Sequence, residues 1–199
     1  VNWAEHKKRW KDCDGCFLCE TRKNVVLLRG KIPADVLFLG EAPGASEDVL
    51  GQPFIGPAGK LLDSIVQEAM EQSKTVRVAF TNLVACIPIG DEGSKTQEPS
   101  KESIKACADR LKEAVHLVKP KGIVCVGKLA KKHVIGQADF SYRKDYGLSW
   151  IPSHDFLRFT EIVHPAAILR SEVSQTIMVQ RCVATLAEFF STEIEACPF

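Results

Sequence analysis

No apolar run in this sequence approaches the roughly 18 residues of a membrane-spanning helix, which excludes a helical span. Nothing near its start has the charged, apolar and small-residue order of a signal peptide, so a cytoplasmic setting is expected. Structural disulfides are scarce there. An excess of one charge is also missing. The chain has 26 Lys and Arg against 25 Asp and Glu, a net charge of +1 that neither demands nor excludes a nucleic-acid partner. Internal repeats and low-complexity tracts are absent, which removes solenoids and long linkers. Two phosphate-binding signatures are absent as well: no Gly-Lys-Ser/Thr closes a loop, and no G-x-G-x-x-G opens a helix.

What the sequence does have is cysteine, eight in 199 residues. "KDCDGCFLCETR" (11–22) sets Cys13, Cys16 and Cys19 three positions apart. Disulfides, a metal site and inert buried thiols all compete to explain them, and the compartment argues against the first. The length and the 45% apolar content suit a single domain over 1–199, with the cysteine-bearing segment at its N-terminal end.

Hydrophobic periodicity supplies the elements. "NWAEHKKRWKDC" spaces Trp3 and Trp10 as a short helix. "ADVLFLG" (34–40) is a strand buried on both faces. "GPAGKLLDSIVQEAMEQ" (56–72) is a helix with Pro57 in its first turn. "VRVAFTNLVAC" (76–86) reads as the second strand, followed by a polar surface loop, "IPIGDEGSKTQEPS". Ser100 caps a helix running to about Val118, "KGIVCVG" (121–127) is the third strand, and "KLAKKHVI" the helix after it. Residues 137–157 read as irregular, "LRFTEIV" (157–163) as the fourth strand, and "SQTIMVQRCVATLAEFF" (174–190) as a closing helix. Alternating strands and helices predict an α/β fold with a parallel sheet. The segments "GEAPG", "TN", "GK" and "HP" all follow strand carboxyl ends, the edge where open parallel sheets bind ligands.

The most informative block is "LGEAPGASEDVLGQPFIGPAGKLL" (39–62). Its glycines at 40, 44, 51, 56 and 59 and its three prolines shape a loop that comes close to something. Its carboxylates, Glu41, Glu47 and Asp48, would repel a phosphate. Beside the apolar wall of Phe54 and Ile55 they suit a neutral ring and a cation-like transition state. Asn82 ends the second strand with an amide able to pair with a heterocycle edge. His164 follows the last strand, with Pro165 fixing the turn. His6, His116, His133 and His154 read as surface or packing residues. Lys119, Lys121, Lys128, Lys131 and Lys132 form either a solvated face or a phosphate-contacting edge.

The paired cysteines, "GEAPGASEDVLGQPFIGPAG", "TNLVAC" and "HPAAILR" together closely resemble the family 4 uracil-DNA glycosylases, the iron–sulfur branch of their superfamily. The motifs run in the right order from about Cys13 to the final helix. The resemblance implies a three-layer α/β/α fold on a four-stranded, mostly parallel sheet, a 4Fe–4S cluster, and removal of uracil from DNA by a monomer. "CFLCETR" fits the family's C-x-L-x-x-x-R with Cys16, so the resemblance makes Cys13, Cys16, Cys86 and Cys107 the cluster ligands and leaves Cys19 spare. Four thiolates would equally suit zinc, and only the resemblance chooses between the metals. It further implies that His164 bonds the uracil O2 as charge grows there, and that Glu41 stabilises the sugar cation or positions water. Glu47 would share the water or crowd the space beside C5. Phe54 would stack on the base, Asn82 would read its edge, and Gly40 and Ala42 would line it. Ala166, Ile168, Leu169 and Arg170 would form the DNA-binding wedge. Two other readings are a covalently attaching uracil-DNA binder and a non-catalytic DNA-binding module. The first lacks a His-bearing basic loop in "GQADFSYRKDYGLSW". The second has no need of Glu41, Asn82 and His164 together.

Overall fold

In a computed structural model, residues 1–90, 96–134, 157–172 and 174–192 are described. The central strand, β2 (Val36–Gly40), is apolar throughout because both its faces are covered. Val36 and Phe38 enter one core, Leu37 and Leu39 the other. β3 (Val78–Asn82) and β4 (Gly122–Val126) flank β2 in parallel, and β5 (Arg158–Ile162) pairs with β4 in parallel. A two-residue β1 (Arg29–Gly30) lies antiparallel on the outer edge of β3, giving the order β1-β3-β2-β4-β5. The sheet thus has five strands where four were expected. Two residues carry no alternation that a sequence could display. Arg29 compensates with side-chain contacts: its guanidinium lies 4.1 Å from the Phe80 ring centroid and forks onto Asp63.

Helices cover both faces, which makes three layers. The core on one face holds α3 (Pro57–Glu71), α7 (Pro165–Arg170) and α8 (Gln175–Ser191). The opposite core takes residues from α5 (Ala108–Val118) and α6 (Lys128–Val134), with Trp3 of α1 (Trp3–Trp10) packed against it. Two expected elements differ in extent. The strand predicted over 76–86 ends at Asn82, because the chain then bends across β2, with Leu83 N–H donating to Gly40 O and Val84 N–H to Glu41 O. The helix predicted from Ser100 to Val118 is broken into α4 (Lys101–Ala106) and α5 at Cys107, whose ψ of −4° departs from helical values.

The lysine cluster also separates. Lys119 and Lys121 precede β4 while Lys128, Lys131 and Lys132 follow it, so they occupy opposite sheet edges. Lys131 pairs with Glu161. Residues 91–95, the segment 136–150, His154 and Cys197 lie outside the described residues. Among the described residues no helix is long and apolar enough to cross a membrane.

Asp48, read as one of three carboxylates on the ligand edge, instead points inward and is 4% exposed. It belongs to α2 (Ala45–Leu50) and accepts from the backbone N–H groups of Lys23 and Asn24 at 2.9–3.3 Å. The Asn24 amide returns bonds to the carbonyls of Asp48 and Val49. These bonds fasten the N-terminal segment to α2. Asp48→Ala should remove these charge-assisted hydrogen bonds at a cost of about 1.5–3 kcal/mol. Hydrogen exchange should then rise over residues 13–24 while β2 and β4 stay protected.

Candidate active site and cysteine cluster

Pairing of β2 with β3 sets Gly40 opposite Asn82. A Cβ on Gly40 would lie 2.4 Å from Asn82 Oδ1 and 2.4 Å from Phe54 Cζ. Only glycine lets the amide and the ring close in from either side. Phe54 adopts a left-handed backbone, φ 55°, which a non-glycine residue holds only when its surroundings force it. Two features supply that force. Gly59 has no side chain where Phe54's backbone passes, and a Cβ there would come within 2.0 Å. Glu47 Oε1 accepts from Ile55 N–H at 3.0 Å and Gly56 N–H at 2.8 Å. Glu47, expected to act on water or beside C5, is thus engaged through one oxygen as a clip on the Phe54 loop.

Glu47, Phe54, Gly59 and Asn82 line a cleft of about 360 Å³ together with Glu41, Glu98 and His164; Gly40, expected to line it too, lies behind Asn82 and Phe54 and is not among its walls. The cleft therefore gathers Glu41, Glu47, Ala42, Phe54, Asn82 and His164 as the sequence placed them. Glu98, from the polar loop before α4, was not anticipated. Burial raises the Glu41 carboxyl above its ordinary value, and the charge of Glu98 raises it further. His164 caps α7: its Nδ1 accepts from Ala166 N–H at 3.1 Å. A ring nitrogen that accepts carries no proton, so the neutral imidazole is protonated on Nε2. Burial holds His164 below its ordinary value, Arg170 acts in the same direction, and Glu47 opposes them. Gly127, at φ +93°, backs the ring; a Cβ there would meet His164 Cβ at 3.1 Å.

The wedge residues divide between two environments. Ile168 is 1% exposed and packs in the core beneath α7, so it is not available to DNA in this conformation. Helical geometry turns its neighbour outward: Leu169 is 45% exposed. Arg170 and Ala166 line the cleft rim.

Beside the cleft lies a second cluster. Leu18, Val84, Cys86, Ile104 and Cys107 pack together, with Cys16 and Ala42 against them. Ala42 also lines the cleft, so one residue separates the two sites. Burial pushes the Cys86 thiol up to about 12; Arg22 opposes that shift, and Cys107, Cys16 and Cys13 are near enough to add to it. Arg22 Nη1 stands 3.7 Å from Cys86 Sγ. Cys19 lines a different cavity, among Lys7, Lys11 and Lys23. Among the described residues no three His, Cys, Asp or Glu close to the spacing of a single bound ion. Zinc would require thiolates about 2.3 Å from one centre. A multi-iron cluster accepts a wider set, because each thiolate meets its own iron.

Arg110 is the residue that sequence reading missed most completely. It is fully buried in α5; burial lowers its pKa below the ordinary value, and Cys107, Cys86 and Cys13 act in the opposite direction. A buried guanidinium beside thiols fits a set held as thiolates, as metal-bound cysteines are. Its i, i+3 spacing from Cys107 was the available signal.

The model of the uracil DNA glycosylase superfamily matches residues 29–187. The chain belongs to that superfamily. Within it, the chain is similar to proteins named type-4 uracil-DNA glycosylase. It is 33% identical to the one from Sulfurisphaera tokodaii over 79% of this chain and 71% of that one. Identity to the Archaeoglobus fulgidus protein is 31%, over 79% and 78%. For the Saccharolobus solfataricus protein it is 36%, over 59% of this chain and 52% of that one. The superfamily match begins at Arg29, so Cys13 and Cys16 precede it.

Two of the cleft's three carboxylates, Glu41 and Glu98, give the site a pH signature. Glu98 raises Glu41, whereas the charges acting on His164 are Arg170 and Glu47. A process needing ionised Glu41 should therefore lose rate on acidification at a higher pH than an ordinary glutamate would set. Glu98→Gln should shift that acid limb to lower pH without altering the contribution of His164, as read from single-turnover pH–rate profiles. The stability effect has the opposite sign. The folded state holds the Glu41 proton more tightly than the unfolded chain does, so ionised Glu41 costs stability at neutral pH. Glu41→Gln should raise the thermal midpoint there, and the gain should vanish as pH falls below the unfolded value.

Proposed function

We propose that this chain hydrolyses the N-glycosidic bond of deoxyuridine in DNA, releasing uracil and leaving an abasic site. The observation that carries this reading is one cleft that brings together a ring, an amide edge and a neutral imidazole protonated on Nε2, in a member of this superfamily. Cleavage leaves cationic character on the sugar and negative charge on the base, and each needs an opposite partner. Phe54 stacks on the uracil, and the Asn82 amide pairs with its O4 and N3 edge. His164 Nε2–H donates to O2 as charge accumulates there. Glu41, ionised, faces the sugar and orients the attacking water, while Glu47 keeps the Phe54 loop in place. The base leaves the duplex at a cost of a few kcal/mol. Leu169 fills the vacated space and Arg170 meets a phosphate.

The reading extends to a 4Fe–4S cluster held by Cys13, Cys16, Cys86 and Cys107. The donor set supports it: the buried Cys86 and Cys107 pack with Cys16, and two guanidiniums, Arg22 and Arg110, lie beside these sulfurs. When bound, the cluster would tie together the N-terminal segment through Cys13 and Cys16, the chain beyond β3 through Cys86 and the start of α5 through Cys107. It takes no part in breaking the glycosidic bond.

Incubation with a uracil-containing oligonucleotide, followed by alkali, should cut the strand at the uracil position; an intact strand would refute the activity. His164→Ala should lower the single-turnover rate by about 10²–10³ while binding stays within a few-fold. Asn82→Ala should weaken binding and relax base choice as well, because a recognition amide rejects wrong partners by leaving polar groups unpaired. The purified chain should be yellow-brown with about four irons. Cys13→Ala, Cys16→Ala, Cys86→Ala or Cys107→Ala should lose the iron and Cys19→Ala should keep it. Stoichiometric zinc in a colourless protein would refute the cluster.

A further inference from the structure

A buried guanidinium ordinarily sits against a carboxylate, since an uncompensated buried charge is costly. Arg110 is 1% exposed, yet among the described residues no carboxylate forms an ion pair with it. Its Nη1 donates to Thr81 Oγ1 at 2.9 Å, and its Nη2 donates to the carbonyls of Asn82 at 2.6 Å and Leu83 at 2.7 Å. Thr81 in turn donates to Leu27 O at 2.7 Å. All these acceptors are neutral. They fix the orientation of the fork and leave its charge unanswered. Among the described residues the buried Nε has no hydrogen-bond partner. The groups that can supply negative charge are sulfurs: Cys107, one helical turn back on the same side, and Cys86 and Cys13 beyond it.

We propose that Arg110 is a positioning residue that couples the cysteine site to base recognition. Its charge balances the thiolates of the occupied site, and its fork holds the end of β3 so that Asn82 faces the cleft. The inference rests on the cluster and on the Asn82 role proposed above. One guanidinium thus serves both sites, and its removal takes away the donor that holds the Asn82 and Leu83 carbonyls together with the cation beside the sulfurs. Lysine retains the charge but is a point donor, unable to bridge three oxygens in one plane. Methionine removes both functions at comparable volume.

Arg110→Met and Arg110→Lys in the whole chain separate the two functions. Three properties are read: the midpoint potential of the bound cluster, iron release to a chelator, and the preference for a duplex carrying a non-cleavable deoxyuridine analogue over its thymidine counterpart. A cation beside a cluster favours its reduced form. Arg110→Met should therefore lower the potential and speed iron release, and should reduce the preference by roughly tenfold, the scale of carbonyls left unsatisfied. Arg110→Lys should restore potential and iron retention but not the preference. The proposal is overturned if Arg110→Met changes none of the three, or if the two variants cannot be told apart. Should Arg110→Met fail to fold, Arg110→Lys decides alone: parental potential with a weakened preference supports the coupling, and an unchanged preference overturns it. A parent protein without iron, or without preference for the uracil analogue, would overturn the functional reading and this proposal together, a failure seen before any variant is made.

Discussion

The cleft depends on a missing side chain at position 40. Parallel pairing of β2 and β3 brings Gly40 level with Asn82, and the space that a Cβ would fill is shared by the Asn82 amide and the Phe54 ring. Any other residue would force amide and ring apart. The features around the site serve that approach. Glu47 clips the loop that delivers Phe54, Gly59 makes room for its backbone, and Phe80 meets its ring at 5.9 Å. The hydrogen bonds from Leu83 and Val84 hold the continuation of β3 against the start of the glycine-rich loop.

Legibility in the sequence followed the physical origin of each feature. β2 and β4 were readable because burial on both faces demands unbroken apolar runs, and α3 because its stripe has helical period. The glycine-rich block was readable because close backbone approach demands glycine, whatever the surroundings. Features that arise only in three dimensions were not. Ile168 looked like a wedge from its place beside Leu169, but a helix turns adjacent residues to different faces, and Ile168 fell on the inner one. Asp48 counted as a third ligand-edge carboxylate until backbone amides from residues 23 and 24 enclosed it. Glu98 sits in a polar loop with no periodicity to betray it, and β1 is too short to have any.

Arg110 escaped for a related reason. Charged residues on an amphipathic helix face water by default. The exception arises when the interior offers something anionic, and on the proposed reading the cysteines do so as metal ligands. The composition therefore held the clue in two separate places, eight thiols and one arginine beside one of them. Neither is informative without the other. The break between α4 and α5 at Cys107 belongs to the same set of features, for it puts the thiol at a joint instead of within a continuous helical turn.

The cleft also has an electrical character. Burial and the neighbouring charge of Glu98 both act against the ionised form of Glu41, so its negative charge is held in a partly dry space at a cost. What would relieve it is positive charge held close to Glu41. On the proposed reading such charge exists only fleetingly, on a sugar whose bond to its base is half broken. A protein shaped in this way stores discomfort in its resting state and releases it at the crest of the reaction, which makes it a better host for a transient than for any molecule that can be bottled.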